Sequence, residues 1–283
     1  MTQVQWQSTN DQYTALKLEV ATAEGQRDDV YRVLLNRPDA LNALNGAMFE
    51  EIPRAVKEAE QSGARALIIT GAGRAFCAGA DLMQSTSFKP GSSMDEQQER
   101  ARATFVRVLD LVQSINQVKM PVLTAINGVA AGGGAGIALA GDIALMARSA
   151  RFVLTFVPKL GLVPDVSATW FMSRTAGRAR TLGASLTGDS VSAETAEQWG
   201  LIWRCIDDND LATQALALAQ RLANGPQAAV LATRKLVDCA TATDLAAHLE
   251  MERDAQCALI GAPDNVEGVL SFREKRTANF RKA

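Results

Sequence analysis

Between Pro121 and Asp142 an apolar run, Pro121 to Ile126, leads through Asn127-Gly128-Val129-Ala130-Ala131 into three consecutive glycines, Gly132, Gly133 and Gly134. Small residues follow as far as Gly141. The apolar run reads as a buried strand and the stretch after the glycines as a helix, so the local fold expected is strand, tight glycine turn, helix. At such a helix start the first N–H groups have no acceptor inside the helix. With side chains absent, a ligand can approach those amides closely. The positive end of the helix favours an oxygen carrying negative charge. Two readings stay open here: an oxyanion-binding turn, or a glycine turn needed only for close packing.

The chain around this stretch alternates between the two periodicities. Tyr13 to Val20 and Val30 to Leu35 read as a hairpin closed at Glu24-Gly25-Gln26 and stopped at Asn36-Arg37-Pro38. Leu44 to Gln61 has helical spacing through Met48, Ile52, Ala55 and Ala59, and Ala64 to Thr70 is a buried strand. Gln84 to Ser93 is polar and rich in serine, glycine and proline, as a plain surface loop or a lid would be. Met94 to Val118 follows as a long amphipathic helix with Phe105, Val108, Leu109, Val112 and Ile115 on one face. Asp142 to Arg148 and Arg151 to Phe156 read as strands, Pro158 to Asp165 as a loop, and Val166 to Thr175 as a helix. Ser192 is a good N-cap for a helix closing at Gly200. After a short strand, Leu201 to Ile206, the pattern is helical: 210–224, 226–240, 242–261 and 264–274. Strands alternating with helices, then helices alone, describe an α/β core with a helical C-terminal part.

Composition removes several classes of function. With 283 residues, 47% hydrophobic and 21% charged, the chain can bury one large core. A net charge of −2 with both signs interspersed argues against a nucleic-acid partner. The start has neither a basic nor an apolar signal segment, and no apolar run approaches the length of a membrane span. Cys77, Cys205, Cys239 and Cys257 have no paired spacing, which predicts reduced thiols, a cytoplasmic protein and no metal site. His248, the single histidine, is expected on a helix surface or at a subunit contact, which removes triads that need histidine elsewhere.

Several ordered pieces together resemble the enoyl-CoA hydratase/isomerase (crotonase) superfamily. They are Leu35-Asn36-Arg37-Pro38 with Asn42-Ala43-Leu44, Ala75 to Leu82, Ile126 to Gly134, Gly141-Asp142, Gly161 to Asp165, Ala196 to Ile202, and Phe272 to Arg276. The resemblance implies an α/β spiral of ββα units, with residues 1–206 as the core holding an acyl-CoA site. It implies that 207–283 is a C-terminal helical region that covers the CoA and assembles a homotrimer or a dimer of trimers. The substrate is then an acyl-CoA thioester, with coenzyme A as part of the substrate and no separate cofactor. The family's two oxyanion donors match the N–H groups of Ala80 and Gly133; such donors are worth about 3–4 kcal/mol each in a dry site. Ala78, Asp81, Leu82, Gly132, Gly134 and Phe156 match positions along the acyl-CoA groove. Lys275, Arg276 and Phe280 match tail positions that meet CoA phosphate or adenine, with a solvated basic tail as the alternative.

The chemistry turns on which acids are present. A family hydratase carries one Glu two residues after the glycine triplet, which is Gly136 here, and a second near Phe156, Val157 or Pro158; none of these is acidic. Ala135, Gly136 and Ala138 predict open space where the first acid would stand. Asp165 remains. It reads either as the cap of a helix starting at Val166 or, by resemblance, as the single acid/base of the family's isomerases. Phe156, Leu160, Leu162 and Val163 are expected to desolvate it and raise its pKa, while a helix N-terminus would oppose them. The Pro164-Asp165…Thr169-Trp170 pattern is most similar to the ring-epoxide isomerases of phenylacetyl-CoA breakdown and the Δ3-Δ2 enoyl-CoA isomerases. Family dehalogenases also match, but the region of their histidine, near Leu109, has none. The expectation is an acyl-CoA isomerase using Asp165, with a hydratase or hydrolase, or a non-catalytic acyl-CoA binder, as the alternatives.

Overall fold

The computed structural model describes residues 4–9, 12–23, 26–83 and 91–281. A strand not foreseen from sequence, β1 (Gln5–Ser8), precedes the expected antiparallel pair β2 (Leu16–Ala23) and β3 (Gln26–Leu35). The turn at Glu24 and Gly25 lies outside the described residues, as do residues 84–90 of the loop read as a lid. A single 3-10 turn, Pro38–Ala40, leads to α1 (Gly46–Gln61), capped by Asn45, whose side chain accepts from the Met48 N–H at 3.1 Å. Met48, Ile52, Ala55, Val56 and Ala59 make its buried face.

From here the chain repeats one motif: a strand for a large sheet, a strand for a small sheet, then a helix. The first turn is β4 (Ala66–Gly71), β5 (Ala75–Cys77) and α2 (Met94–Asn116); the second is β6 (Val122–Ile126), β7 (Val129–Ala131) and α3 (Gly133–Leu139). The third is β8 (Ile143–Ala147), β9 (Arg151–Val153), a single π-helical turn at Phe156–Leu160, α4 (Ala168–Thr175) and α5 (Arg178–Thr187). The half-turn β10 (Val191–Ser192), α6 (Ala193–Gln198) and β11 (Arg204–Ile206) closes it. The large sheet has the order β1-β2-β3-β4-β6-β8-β11, parallel from β3 onward, and the small sheet β10-β9-β7-β5. That is the expected spiral of ββα units.

Four helices follow: α7 (Leu211–Ala223), α8 (Gln227–Cys239), α9 (Leu245–Leu259) and α10 (Pro263–Glu274). α7 lies under the large sheet through Leu211, Ala215, Ala219 and Ala223, spaced four apart. α8 is tied to the core by Arg234, which donates to the Val118 carbonyl at 2.6 Å and pairs with Asp142. His248 lies on α9, 3.6 Å from Glu252. No helix among the described residues is long and apolar enough to cross a membrane.

Three local expectations need correction. The buried face of α2 is Val108, Leu111 and Ile115 with Val112 beside them, while Phe105 and Leu109 are exposed. Both sets have helical spacing, and the core took the one containing Leu111. β9 ends at Val153, so Phe156 belongs to the π-helical turn rather than to a strand. α4 begins at Ala168, not Val166, because Val166 and Ser167 both take left-handed backbone (φ 49° and 59°).

The glycines of α3 are contact points for neighbouring backbone. A Cβ on Gly134 would overlap the Cys77 carbonyl oxygen and lie 2.8 Å from Cys77 Cβ. Backbone cannot yield as a flexible side chain can, so Gly134→Ala is expected to destabilise the fold by about 3 kcal/mol or more, read as a lowered denaturation midpoint.

Candidate active site

Two backbone segments meet where β5 and β7 end. The first follows β5. Gly79, with φ 88°, lets the chain turn against Ala131, whose carbonyl oxygen is 2.8 Å from where a Gly79 Cβ would stand. A parallel bridge then forms with Leu44: its N–H donates to the Gly79 carbonyl (2.7 Å) and its carbonyl accepts from the Asp81 N–H (2.9 Å). In that register the Ala80 N–H points away from Leu44 and makes no backbone hydrogen bond among those of the described residues. Ala80 itself is exposed.

The surroundings of this segment explain two of the sequence motifs. Asn42, fully buried in left-handed backbone, donates to the Ala72 and Ala75 carbonyls and accepts from the Arg37 N–H. Arg37 pairs with Asp81 at 2.9 Å and donates to the Ala43 carbonyl. Asp81 is therefore engaged in holding the segment, while Leu82 is exposed and Ala78 half-buried. Asn127 accepts from the Gly71 N–H and donates to the Gly73 carbonyl, tying the β6–β7 junction to the β4–β5 turn.

The second segment is the glycine turn. β7 stands between the apolar strand and the glycines, so the sequence-stretch expected as strand, turn, helix is strand, strand, turn, helix. Gly132 takes φ 52°, ψ −127°, a backbone that residues with a Cβ avoid, and its N–H donates to the Val153 carbonyl at 2.9 Å. α3 starts at Gly133, whose N–H is at the unpaired end of the helix. The turn lies against the first segment: a Cβ on Gly132 would be 3.6 Å from both the Gly79 Cα and the Phe156 ring. Phe156 is buried there.

Asp165 completes the site. Its Oδ1 lies 3.5 Å from the position of a Gly133 Cβ, together with Val166 Cγ2 at 2.8 Å and Leu44 Cδ1 at 3.3 Å. That oxygen is buried and has no hydrogen-bond partner among the described residues. The capping alternative is not what forms: α4 starts two residues later, and Asp165 contributes its main-chain carbonyl, accepting from the Ala168 N–H at 3.0 Å. Burial pushes the carboxyl up to about 6, opposed only by its own N–H. Of the four groups expected to desolvate it, Phe156 is buried at the glycine turn. Leu160, Leu162 and Val163 are exposed in this chain, and the apolar atoms that share the surroundings of Gly133 with Asp165 Oδ1 come from Leu44 and Val166.

A carboxylate with one oxygen buried and unpartnered, and with a raised pKa, is a candidate acid/base. A reaction using Asp165 as base needs it ionised. Its kcat/KM is expected to fall about tenfold per pH unit below about 6 and to level off above that value, as a pH–rate profile would record.

The slot for a second acid is filled. A Cβ on Gly136 would overlap the Val166 carbonyl oxygen and lie 2.8 Å from Val166 Cβ. The space expected around Gly136 is thus occupied by backbone, and neither Leu44 nor Val166 was foreseen as part of the site. Only the left-handed backbone of Val166 brings it there, and a valine carries no sequence signal for that conformation.

Lys275 and Phe280 take no part in the contacts that unite Ala78 to Leu82, Gly132 to Gly134, Phe156 and Asp165. Lys275 is the exposed left-handed residue ending α10, and the Phe280 ring rests on Gly268 of α10. Arg276 pairs with Glu267 and Glu274. Among the described residues no three His, Cys, Asp or Glu side chains gather as a metal site requires.

Comparison with known proteins agrees with this arrangement. Residues 25–283 match the family model described as enoyl-CoA hydratase/isomerase. The chain is 41% identical over 252 residues to the 1,2-epoxyphenylacetyl-CoA isomerase of Escherichia coli K12, covering 89% of this chain and 94% of that one. It is 39% identical over 248 residues to a probable enoyl-CoA hydratase of Rhodobacter capsulatus, covering 88% and 93%. Among solved structures, an enoyl-CoA hydratase from Bacillus anthracis superposes with a TM-score of 0.85 at 30% identity, over 95% of this chain and 100% of that one. The chain belongs to the enoyl-CoA hydratase/isomerase family, and its α/β spiral is the crotonase fold. It is an enzyme of that family, whose substrates are acyl-CoA thioesters, and it resembles the ring-epoxide isomerase type.

Proposed function

We propose that this protein is an acyl-CoA isomerase that shifts a double bond, or rearranges a ring epoxide, through a thioester enolate with Asp165 as its single acid/base. The thioester oxygen accepts from the Ala80 and Gly133 N–H groups. The Asp165 carboxylate takes a proton from C2 of a 3-enoyl thioester, and the electron pair delocalises to that oxygen as a dienolate. The carboxylic acid then returns the proton at C4, leaving a 2-enoyl thioester and the carboxylate restored. Fixed donors in place before charge develops lower the barrier, and a carboxyl near 6 serves both proton transfers at neutral pH.

The observation that carries this reading is the solitary Asp165 oxygen beside Gly133, with Val166 backbone where a second acid would project. Adding water needs a group to orient and deprotonate it as well as a proton donor; a proton shift needs one carboxylate. The similarity to a 1,2-epoxyphenylacetyl-CoA isomerase points the same way. Ala78, Asp81, Leu82, Gly132, Gly134 and Phe156 are proposed to line the acyl-CoA groove, Asp81 through its hold on the segment. Lys275 and Phe280 are proposed to reach CoA in the assembled protein. Residues 207–283 are proposed to form a homotrimer or dimer of trimers, because Leu245 at the start of α9, Ile260 just past its end, and Val266 and Phe272 of α10 are exposed.

The test is purified protein with a 3-enoyl-CoA and, separately, crotonyl-CoA. Conversion of the first to the 2-enoyl product at least about 100-fold faster than hydration of the second is expected. Hydration at a comparable rate would favour the hydratase reading that the Rhodobacter relative's name carries. Tight binding with neither reaction would favour a non-catalytic acyl-CoA binder.

A further inference from the structure

We propose that Gly136 and Val166 are a positioning pair that locks Asp165 over the glycine turn and closes the site to a second acid; this rests on the proposed role of Asp165. Gly133 and Gly136 are three apart and share one face of α3. Val166 is wedged onto that face: its Cγ2 is 2.8 Å from where a Gly133 Cβ would stand, and its Cβ 2.8 Å from the Gly136 position, which its carbonyl oxygen overlies. Both glycines are needed for this approach, since a side chain at either would displace Val166 and the neighbouring Asp165 with it.

The backbone at this point is strained in a directed way. Val166 is β-branched yet sits at φ 49°, and Ser167 follows at φ 59°. β-branched residues take this conformation only where surrounding packing imposes it, and such residues gather where geometry serves function. The strain has a definite consequence. It turns the chain so that the Asp165 carboxyl meets Gly133, with the Val166 side chain and Leu44 Cδ1 gathered at the same glycine. Val166 is 4% exposed, so it also keeps water from that side.

The pair predicts a division between binding and chemistry. Val166→Gly keeps the left-handed backbone, which glycine adopts freely, but removes the wedge. Turnover of a 3-enoyl-CoA is expected to fall about 10- to 100-fold, since small misplacements of a catalytic group are costly. The acidic limb of the pH–rate profile is expected to move below about 6, as water reaches the carboxyl. The dissociation constant for butyryl-CoA, which cannot isomerise, is expected to stay within about threefold, because the Ala80 and Gly133 donors are untouched. Gly136→Ala, which must push the Val166 carbonyl away, is expected to lower kcat with the same split. Val166→Ala is read in the same way should either variant fail to fold. A folded Val166→Gly protein with wild-type kcat and an unmoved acidic limb would overturn the pair, as would equal losses in butyryl-CoA affinity and kcat. Asp165→Asn separates this from the underlying reading: if that variant retains isomerisation, the acid/base role falls; if it is inactive while Val166→Gly behaves as wild type, only the pair falls.

Discussion

Asp165→Asn is expected to lower turnover of a 3-enoyl-CoA by about 10²–10⁴-fold while leaving affinity for butyryl-CoA within about threefold. The amide keeps the shape of the carboxyl but can neither take the proton from C2 nor deliver one to C4. The same substitution should reverse a stability cost. Burial raises the folded-state carboxyl from the ordinary value near 3.8 to about 6. A raised carboxylate pKa means that the folded chain binds the proton more tightly than the unfolded one. Stability contributed by the neutral form is present below about pH 4 and is lost as pH rises to about 6 and beyond. The shift corresponds to roughly 2–3 kcal/mol. Wild type should therefore lose stability relative to Asp165→Asn by about that amount between pH 4 and pH 7, measured as the difference in denaturation free energy. A difference independent of pH would show that the carboxyl titrates normally.

Ala80→Pro is expected to lower kcat/KM by about 10²–10³-fold. The bridge to Leu44 uses the Gly79 carbonyl and the Asp81 N–H, so the Ala80 N–H holds no structural hydrogen bond in it. Ala80 is exposed, and its side chain fills no core space. Proline at this position removes one donor to the thioester oxygen and places its ring where that oxygen would sit, an effect of the size seen when one oxyanion donor is deleted. Ala80→Ser, which keeps the N–H, should retain near-wild-type kcat/KM. Wild-type kinetics in Ala80→Pro would remove this amide from the mechanism.

The parts of this molecule legible in its sequence are those set by local chemistry. The glycine triplet announced the turn, Ser192 and Gly200 marked the ends of α6, and the apolar runs marked β4 and β6. The small-sheet strand β7 was not legible, because Val129-Ala130-Ala131 is too short and too small to show a period. On α2 the spacing picks out Val108, Val112 and Ile115 correctly but includes Phe105 and Leu109 and misses Leu111, because only packing chooses the edges of the buried stripe. Gly136 shows a deeper limit. A glycine is equally required by an open pocket and by the close approach of another backbone, and here Val166 makes the approach. Asp165 could be named from the sequence, but its lack of a partner depends on α4 starting at Ala168 instead of Val166. That start follows from two left-handed residues with no sequence signature. Leu160, Leu162 and Val163 read as a pocket wall by hydrophobicity alone, yet Val163 is 77% exposed in the chain.

The most direct measurement of the central claim is a crystal structure of Asp165→Asn holding an unreacted 3-enoyl-CoA. The thioester oxygen is expected within about 2.7–3.1 Å of both the Ala80 and Gly133 nitrogens, with the residue 165 side chain about 3–3.5 Å from C2 and C4 of the acyl chain. A thioester bound away from those two nitrogens, or acyl carbons out of reach of residue 165, would contradict it.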